Sequence, residues 1–341
     1  MQNVIADAEK LLDIKLEEQN KLIQSKFHIY GIDDFVSMNG EGKRLRGRLV
    51  LISYIIEKDL RDISKLPEKI IVLAICLEIL QTSVLIQDDV IDGDEERRKQ
   101  RALHIALVEG WKDKKRAAEA AILIGNIGVC YAYKLLRETF SSQEDVLNEF
   151  GGMLYTTLKG EVLDVVIPLQ DQLSAYSDGE REKYALEIAR KKTAYYSFVS
   201  PLAMGVMLAA PGKERDIQWV KDLGEDLGMA YQLENDLRSI TQMKEKGELP
   251  RDIIRYRVTY ANAVLARNEE MKNILLNGGQ NKNETIKEIL NYSAKRDWIS
   301  SVEKKKNDFL EAAHNKIFSR NDWNYDKKNL FWTSLRSFFR A

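Results

Sequence analysis

Between Pro67 and Pro168 the chain has no proline, and two apolar stretches, 70–87 and 119–137, run through that interval. Proline kinks or breaks a helix from within, so a stretch this long without one is free to be helical. Leu, Ala, Glu, Lys, Arg and Ile dominate it, all of them tolerated well in helices. Sustained period-two alternation is absent, which argues against half-buried strands. A helix that is apolar nearly all round is covered on every side, so both stretches are expected in the middle of a bundle. Turn chemistry at Gly31–Asp34, Asn39–Gly42, Ala210–Gly212 and Asn277–Gly279 separates the helical segments. The expected fold is all-α. No repeat, linker or composition shift divides the 341 residues, so one domain spanning 1–341 is expected.

Lys and Arg total 52 against 53 Asp and Glu, a formal net charge of −1. Non-specific nucleic-acid binding needs a basic excess, so nucleic acid is not an expected partner. Cys76 and Cys130 both lie in apolar runs and read as buried thiols, neither a disulfide nor a zinc site. The N-terminal residues carry acids and no apolar signal core. The run 70–86 is interrupted by Glu78 and Gln81 and reads as a buried helix, so a cytoplasmic protein is expected. The C-terminal run 331–339 is amphipathic at helical spacing. It suits packing on the body or on a dimer partner, with peripheral membrane contact as the sharper alternative.

The first apolar stretch ends in Gln87-Asp88-Asp89-Val90-Ile91-Asp92. Asp88 and Asp92, four apart, project from one face of a helix and repel unless a cation sits between them. Magnesium fits such a pair, because it is held by one or two carboxylates and completed by water and substrate phosphates. Taken alone, the pattern is equally that of an ordinary acidic helix end. Basic residues surround it, however: Arg97-Arg98 and His104 follow, and Gly42-Lys43-Arg44-Leu45-Arg46 precede. Lys43 and Arg46 are three apart at a helix start and would present two cations to a diphosphate. Alone, this basic turn too would read as solvated surface.

In combination these motifs resemble the trans-polyprenyl diphosphate synthases, whose pattern is GKRLRP, then DDxxD, then RRGxPTxH. Further matches are Gly160-Glu161, Lys192-Thr193 and Tyr231-Gln232, so the resemblance spans roughly residues 40–265. It implies the isoprenoid synthase fold, a helical bundle around a central cavity, and usually a homodimer. It implies that Lys43, Arg46 and Arg98 hold the diphosphate of isopentenyl diphosphate, with Gln81 as a further contact. Asp88 and Asp92 would bind Mg2+ on the allylic diphosphate, assisted by Arg97, Lys192 and Gln232, and Thr193 would stabilise the allylic cation.

The family's second aspartate-rich motif is reduced here to Asn235-Asp236-Leu237-Arg238-Ser239, in which Asn235, Asp236 and Ser239 are the candidate ligands. Downstream, Arg257 stands where the family has Lys. Gln87 precedes the first Asp, Lys99 replaces the glycine of RRG, and Asn126 stands where the family has Gly-Asp. The expected activity is magnesium-dependent head-to-tail condensation of isopentenyl diphosphate with an allylic prenyl diphosphate. Ser83 and Val84, five and four residues before Asp88, are small where the family places bulky aromatics, which implies a product of C20 or longer. The altered second motif leaves open a terpene cyclase or a prenyltransferase with an unusual acceptor. It also leaves open a non-catalytic subunit of a heteromeric synthase.

Overall fold

The computed structural model of the chain describes residues 1–166, 171, 174–254, 257–276 and 282–339, without the side chains of Arg251 and Lys282. The turn expected at Asn277–Gly279 lies outside the described residues. Helix dominates, and β structure among the described residues is one small hairpin, Glu96–Arg97 against Gln100–Arg101. The chain gathers into two compact units, residues 1–149 with 201–214, and residues 150–200 with 215–341.

The first unit contains α1 (Gln2–Lys26), α2 (Ile32–Gly40), α3 (Leu45–Glu57), α4 (Glu68–Asp92), α5 (Leu103–Trp111), α6 (Lys114–Thr139) and the start of α7 (Glu144–Val166). Helix α4 is its core, as its composition requires: Ile70, Leu73, Ala74, Leu77, Ile79, Leu80 and Ile86 are fully buried. Each such Leu or Ile contributes about 1.5–3 kcal/mol relative to exposure. Its buried Thr82 has a partner on a neighbouring helix. Thr82 donates to Asn39 Oδ1 (2.9 Å) and Asn39 donates to Asn20 Oδ1 (2.6 Å), which ties α4 to α2 and α1. Gly93, at φ 58°, stops α4 one residue past Asp92, and the Asp94 N–H reaches back to the Asp89 carbonyl (2.8 Å).

Helix α6 departs from the expectation of complete burial. One stripe (Ala117, Ala121, Ile124, Ala132, Leu136) packs inward, while Ile122, Leu123 and Tyr133 are exposed. Cys130 is also exposed, so only Cys76 is the buried thiol the sequence suggested. Both α4 and α6 are long and apolar enough to cross a membrane by length and composition alone, but α4 is mostly buried within the unit.

The second unit contains the rest of α7, α8 (Asp178–Ile188), a π-helical segment (Ala189–Val199), most of α10 (Glu214–Lys246), α11 (Tyr260–Leu265), α12 (Glu269–Leu276), α13 (Lys282–Lys295), α14 (Ile299–Phe318) and α15 (Tyr325–Arg336). The intervening α9 (Ser200–Ala209) belongs almost wholly to the first unit. The amphipathic C-terminal run packs on the second unit's own body. Phe331 is buried against Trp219 and Trp323, and the Arg320 guanidinium lies over both indole rings at 4.6 and 4.3 Å.

Candidate active site

In the first unit the chain brings three distant pieces together. Helix α2 ends in a turn where Gly42 has φ 120°, and the Arg98 guanidinium lies so close that a Cβ at position 42 would sit 2.8 Å from its Cζ. Only glycine fits there. Arg98 Nη1 donates to the carbonyls of Met38 (2.7 Å) and Glu41, and Arg44 donates to those of Asn39 (2.9 Å), Gly40 and Glu41 (2.7 Å). Two guanidinium groups thus meet the exposed carbonyl end of α2, where cations are favoured. Lys43 is exposed at the tip of this turn and Arg46 is half-buried in the first turn of α3. The arginine pair sits on the hairpin, whose central residues Arg98 and Lys99 have φ 53° and 64°. A two-residue turn of this hand suits glycine, so Lys99 holds a strained conformation that the family's glycine would not.

Arg97 organises the carboxylates at the end of α4. Its Nε donates to Asp89 Oδ1 (2.5 Å), and Nη2 reaches Asp94 Oδ2 (3.0 Å) and Asp88 Oδ2 (3.4 Å). Asp89 is fully buried and points away from the half-buried pair Asp88 and Asp92. Burial lifts the Asp89 carboxyl to about 6 in spite of the opposing bond from Arg97. Gln81, two turns before Asp88, is buried and its amide oxygen has no hydrogen-bond partner.

The donor set fits magnesium. Asp88 and Asp92 supply hard oxygens from successive turns of one helix, and Lys43, Arg46 and Arg98 supply cations for a diphosphate that would complete the coordination. Among the described residues no three His, Cys, Asp or Glu groups cluster as an all-protein cage, which magnesium seldom uses.

Ser83 does not line the Asp88 face. Five residues is well out of phase with Asp88, and the Ser83 side chain is fully buried, its hydroxyl donating to the Ile79 carbonyl (2.8 Å). A Cβ on Gly128 of α6 would overlap that hydroxyl and lie 2.8 Å from the Phe35 ring. Val84, half-buried and one turn before Asp88, does share the face. The inference about chain length therefore rests on Val84 alone.

In the second unit Lys192 and Thr193 lie within the π-helical segment, a distortion found often at functional sites. Glycines on the flanking helices make room for it. A Cβ on Gly160 of α7 would collide with the Lys192 backbone, and one on Gly228 of α10 with Ala194. The Lys192 ammonium pairs with Glu161 (2.8 Å) and Asp164 (2.9 Å), and Arg257 donates to the Asp164 carbonyl (3.0 Å). Thr193 donates to Gln232 Oε1 (2.7 Å), and Gln232 Nε2 donates to Asp236 Oδ1 (2.9 Å). Asp236 is 4% exposed, and burial, with the Asp252 charge beside it, lifts its carboxyl to about 7. Asn235 and Ser239 are half-buried one turn apart on α10, where the Ser239 hydroxyl donates to the Asn235 carbonyl (3.2 Å).

The sequence motifs thus fall into two sets, one in each unit. The sequence assigns no role to Asp89, Asp94, Glu78 or Asp164, although each partners a motif residue. Asp164 carried a legible signal, three residues after Glu161 on the same helical face.

The Polyprenyl synthetase family model matches residues 34–293. The chain is 28% identical over 201 residues to the farnesyl pyrophosphate synthase of Saccharomyces cerevisiae, covering 57% of this chain and 54% of that protein. It is 28% identical over 249 residues to the bifunctional chrysanthemol synthase of Tanacetum cinerariifolium, covering 69% of this chain and 58% of that one. It therefore spans less than two thirds of either relative. Among solved structures, a geranylgeranyl pyrophosphate synthase from Corynebacterium glutamicum, complexed with isoprenyl diphosphate and magnesium, superposes with a TM-score of 0.79 at 20% identity, covering 99% of this chain and 98% of that one. The chain belongs to the polyprenyl synthetase family of prenyltransferases and has the isoprenoid synthase fold.

Proposed function

We propose that the chain is a magnesium-dependent prenyltransferase that joins isopentenyl diphosphate head-to-tail to an allylic prenyl diphosphate, giving a product of C20 or longer. The observation that carries this is the convergence of Asp88 and Asp92 with Arg97, Arg98 and the Lys43–Arg46 turn at one end of α4. Magnesium held by Asp88 and Asp92 would supply the positive charge that draws off the leaving diphosphate. Arg97, already beside Asp88, balances these carboxylates before substrate arrives. Lys43, Arg46 and Arg98 hold the second diphosphate, whose alkene attacks the allylic carbon as its C–O bond breaks; a proton is then lost. Thr193 presents its oxygen to the developing cation, because its proton is committed to Gln232. Fixed donors of this kind contribute on the order of 2.7–4 kcal/mol each to such transition states.

A second copy of the chain is the proposed partner, docked on the exposed α6 face of Ile122, Leu123, Cys130 and Tyr133. In a dimer of this kind Cys130 resists thiol reagents and becomes reactive on dilution to monomer.

A second reading keeps the ionisation step but changes the acceptor. It is favoured by Arg98, which spends Nη1 on the Met38 and Glu41 carbonyls and so weakens the isopentenyl diphosphate clamp. Incubation with Mg2+, farnesyl or geranylgeranyl diphosphate and labelled isopentenyl diphosphate separates the two. Labelled, elongated diphosphate supports condensation. Loss of diphosphate without incorporation of label supports the other acceptor, and no turnover of either kind overturns both.

A further inference from the structure

We propose that Asp236 is a positioning residue and no metal ligand: it fixes the amide of Gln232 and, through it, the hydroxyl of Thr193, while the metal is held by Asp88 and Asp92. This rests on the prenyltransferase reading above. From sequence, Asp236 is the one surviving carboxylate of the second acidic motif and so its obvious ligand. The structure turns it the other way.

Asp236 lies 100° round α10 from Asn235, on the buried side. Both of its oxygens accept from the protein. Oδ1 takes Gln232 Nε2 (2.9 Å) and Oδ2 takes the Ala261 N–H (3.4 Å) near the start of α11. The cavity beside it, lined by Ser239, Asp252, Thr259 and Asn262 among others, is about 10 Å³, enough for one water at most. A hydrated magnesium ion with its phosphates does not fit there. Asn235, on the outward side, and Ser239, which lines that small cavity, carry no charge, which makes them weak ligands by comparison with a carboxylate pair.

The hydrogen-bond directions give Asp236 a different task. An ionised Asp236 oxygen beside Gln232 can be met only by the NH2 end of the amide, and in the structure Oε1 faces Thr193. Thr193 then donates its proton to Oε1, and its lone pairs are left for a cation. Were the amide to flip, an N–H would face Thr193 and take up a lone pair.

Manganese binding to the full chain, followed by the signal of free Mn2+ in the presence of inorganic pyrophosphate, tests this. Asp88→Asn loses bound Mn2+; Asp236→Asn keeps the wild-type number; Asn235→Asp, which restores a charge on the outward face, gains one ion. With farnesyl diphosphate and isopentenyl diphosphate, Asp236→Asn lowers kcat roughly tenfold, the effect of about one hydrogen bond, without changing the Mg2+ requirement. Gln232→Leu breaks the same chain with the carboxylate intact, so it too lowers kcat with the Mn2+ number unchanged, and it serves should Asp236→Asn fail to fold. Loss of an ion from Asp236→Asn, or unchanged kcat in Gln232→Leu, overturns the positioning role. Retention of every ion by Asp88→Asn overturns instead the prenyltransferase reading on which it rests.

Discussion

The backbone N–H of Gly47 donates to Glu78 Oε1 at 2.9 Å, a buried hydrogen bond between α3 and α4. Gly47 is the third residue of α3, whose N-cap, Arg44, offers no side-chain acceptor. A carboxylate from another helix therefore caps α3 and meets the positive end of its dipole. Proline, the family's residue at this position, has no N–H to give. Gly47→Pro is expected to destabilise the chain by about 1–3 kcal/mol, the cost of leaving a buried acceptor unpaired. Thermal melts show it as a lowered Tm, and an unchanged Tm would remove Glu78 as the cap.

Arg97 pairs with Asp88, Asp89 and Asp94 together, and Asp89 is wholly buried. Arg97→Ala leaves that charge without compensation, so a loss of about 3–5 kcal/mol is expected in denaturant titrations. Arg97→Lys keeps the charge but not the fork that reaches three carboxylates, and it falls between the two.

Product length separates Ser83 from Val84. Ser83→Tyr forces a ring into the tight contact with Gly128 and Phe35 and is expected to cost about 1–3 kcal/mol of stability or more. Val84→Phe, on the Asp88 face, shortens the product instead. Mass spectrometry of the isoprenoid products reads the second effect and thermal melts the first; Val84→Phe with an unaltered product rejects the role of this face.

Asp236 makes stability depend on pH. Its carboxyl is raised from the usual 3.8 to about 7, so folding favours the protonated form. The stability this contributes is fully present below the unfolded value and is lost as pH rises through about 7. The denaturant midpoint should therefore fall between about pH 4 and about pH 7, and fall less in Asp236→Asn, which carries no charge to titrate. Equal slopes for both proteins would place the pH dependence elsewhere.

The sequence alone determined the all-α class, the burial of α4 and the presence of Asp88 and Asp92 on one helical face. These follow from local rules: propensity, the absence of proline and a period of 3.6 residues. It also marked the Gly42 turn and the Arg97-Arg98 pair, because residue type and spacing carry that chemistry. Tertiary structure decided where each side chain points and what it meets. Helix α6 was read as covered on all sides and is instead half open, since composition does not say how many neighbours a helix has. Ser83 faces Gly128 rather than sharing the Asp88 face, Asp236 faces Gln232 and Ala261, and Glu78 caps a helix that begins 33 residues before it. Each of these depends on a partner far away in the chain, and no local pattern encodes it.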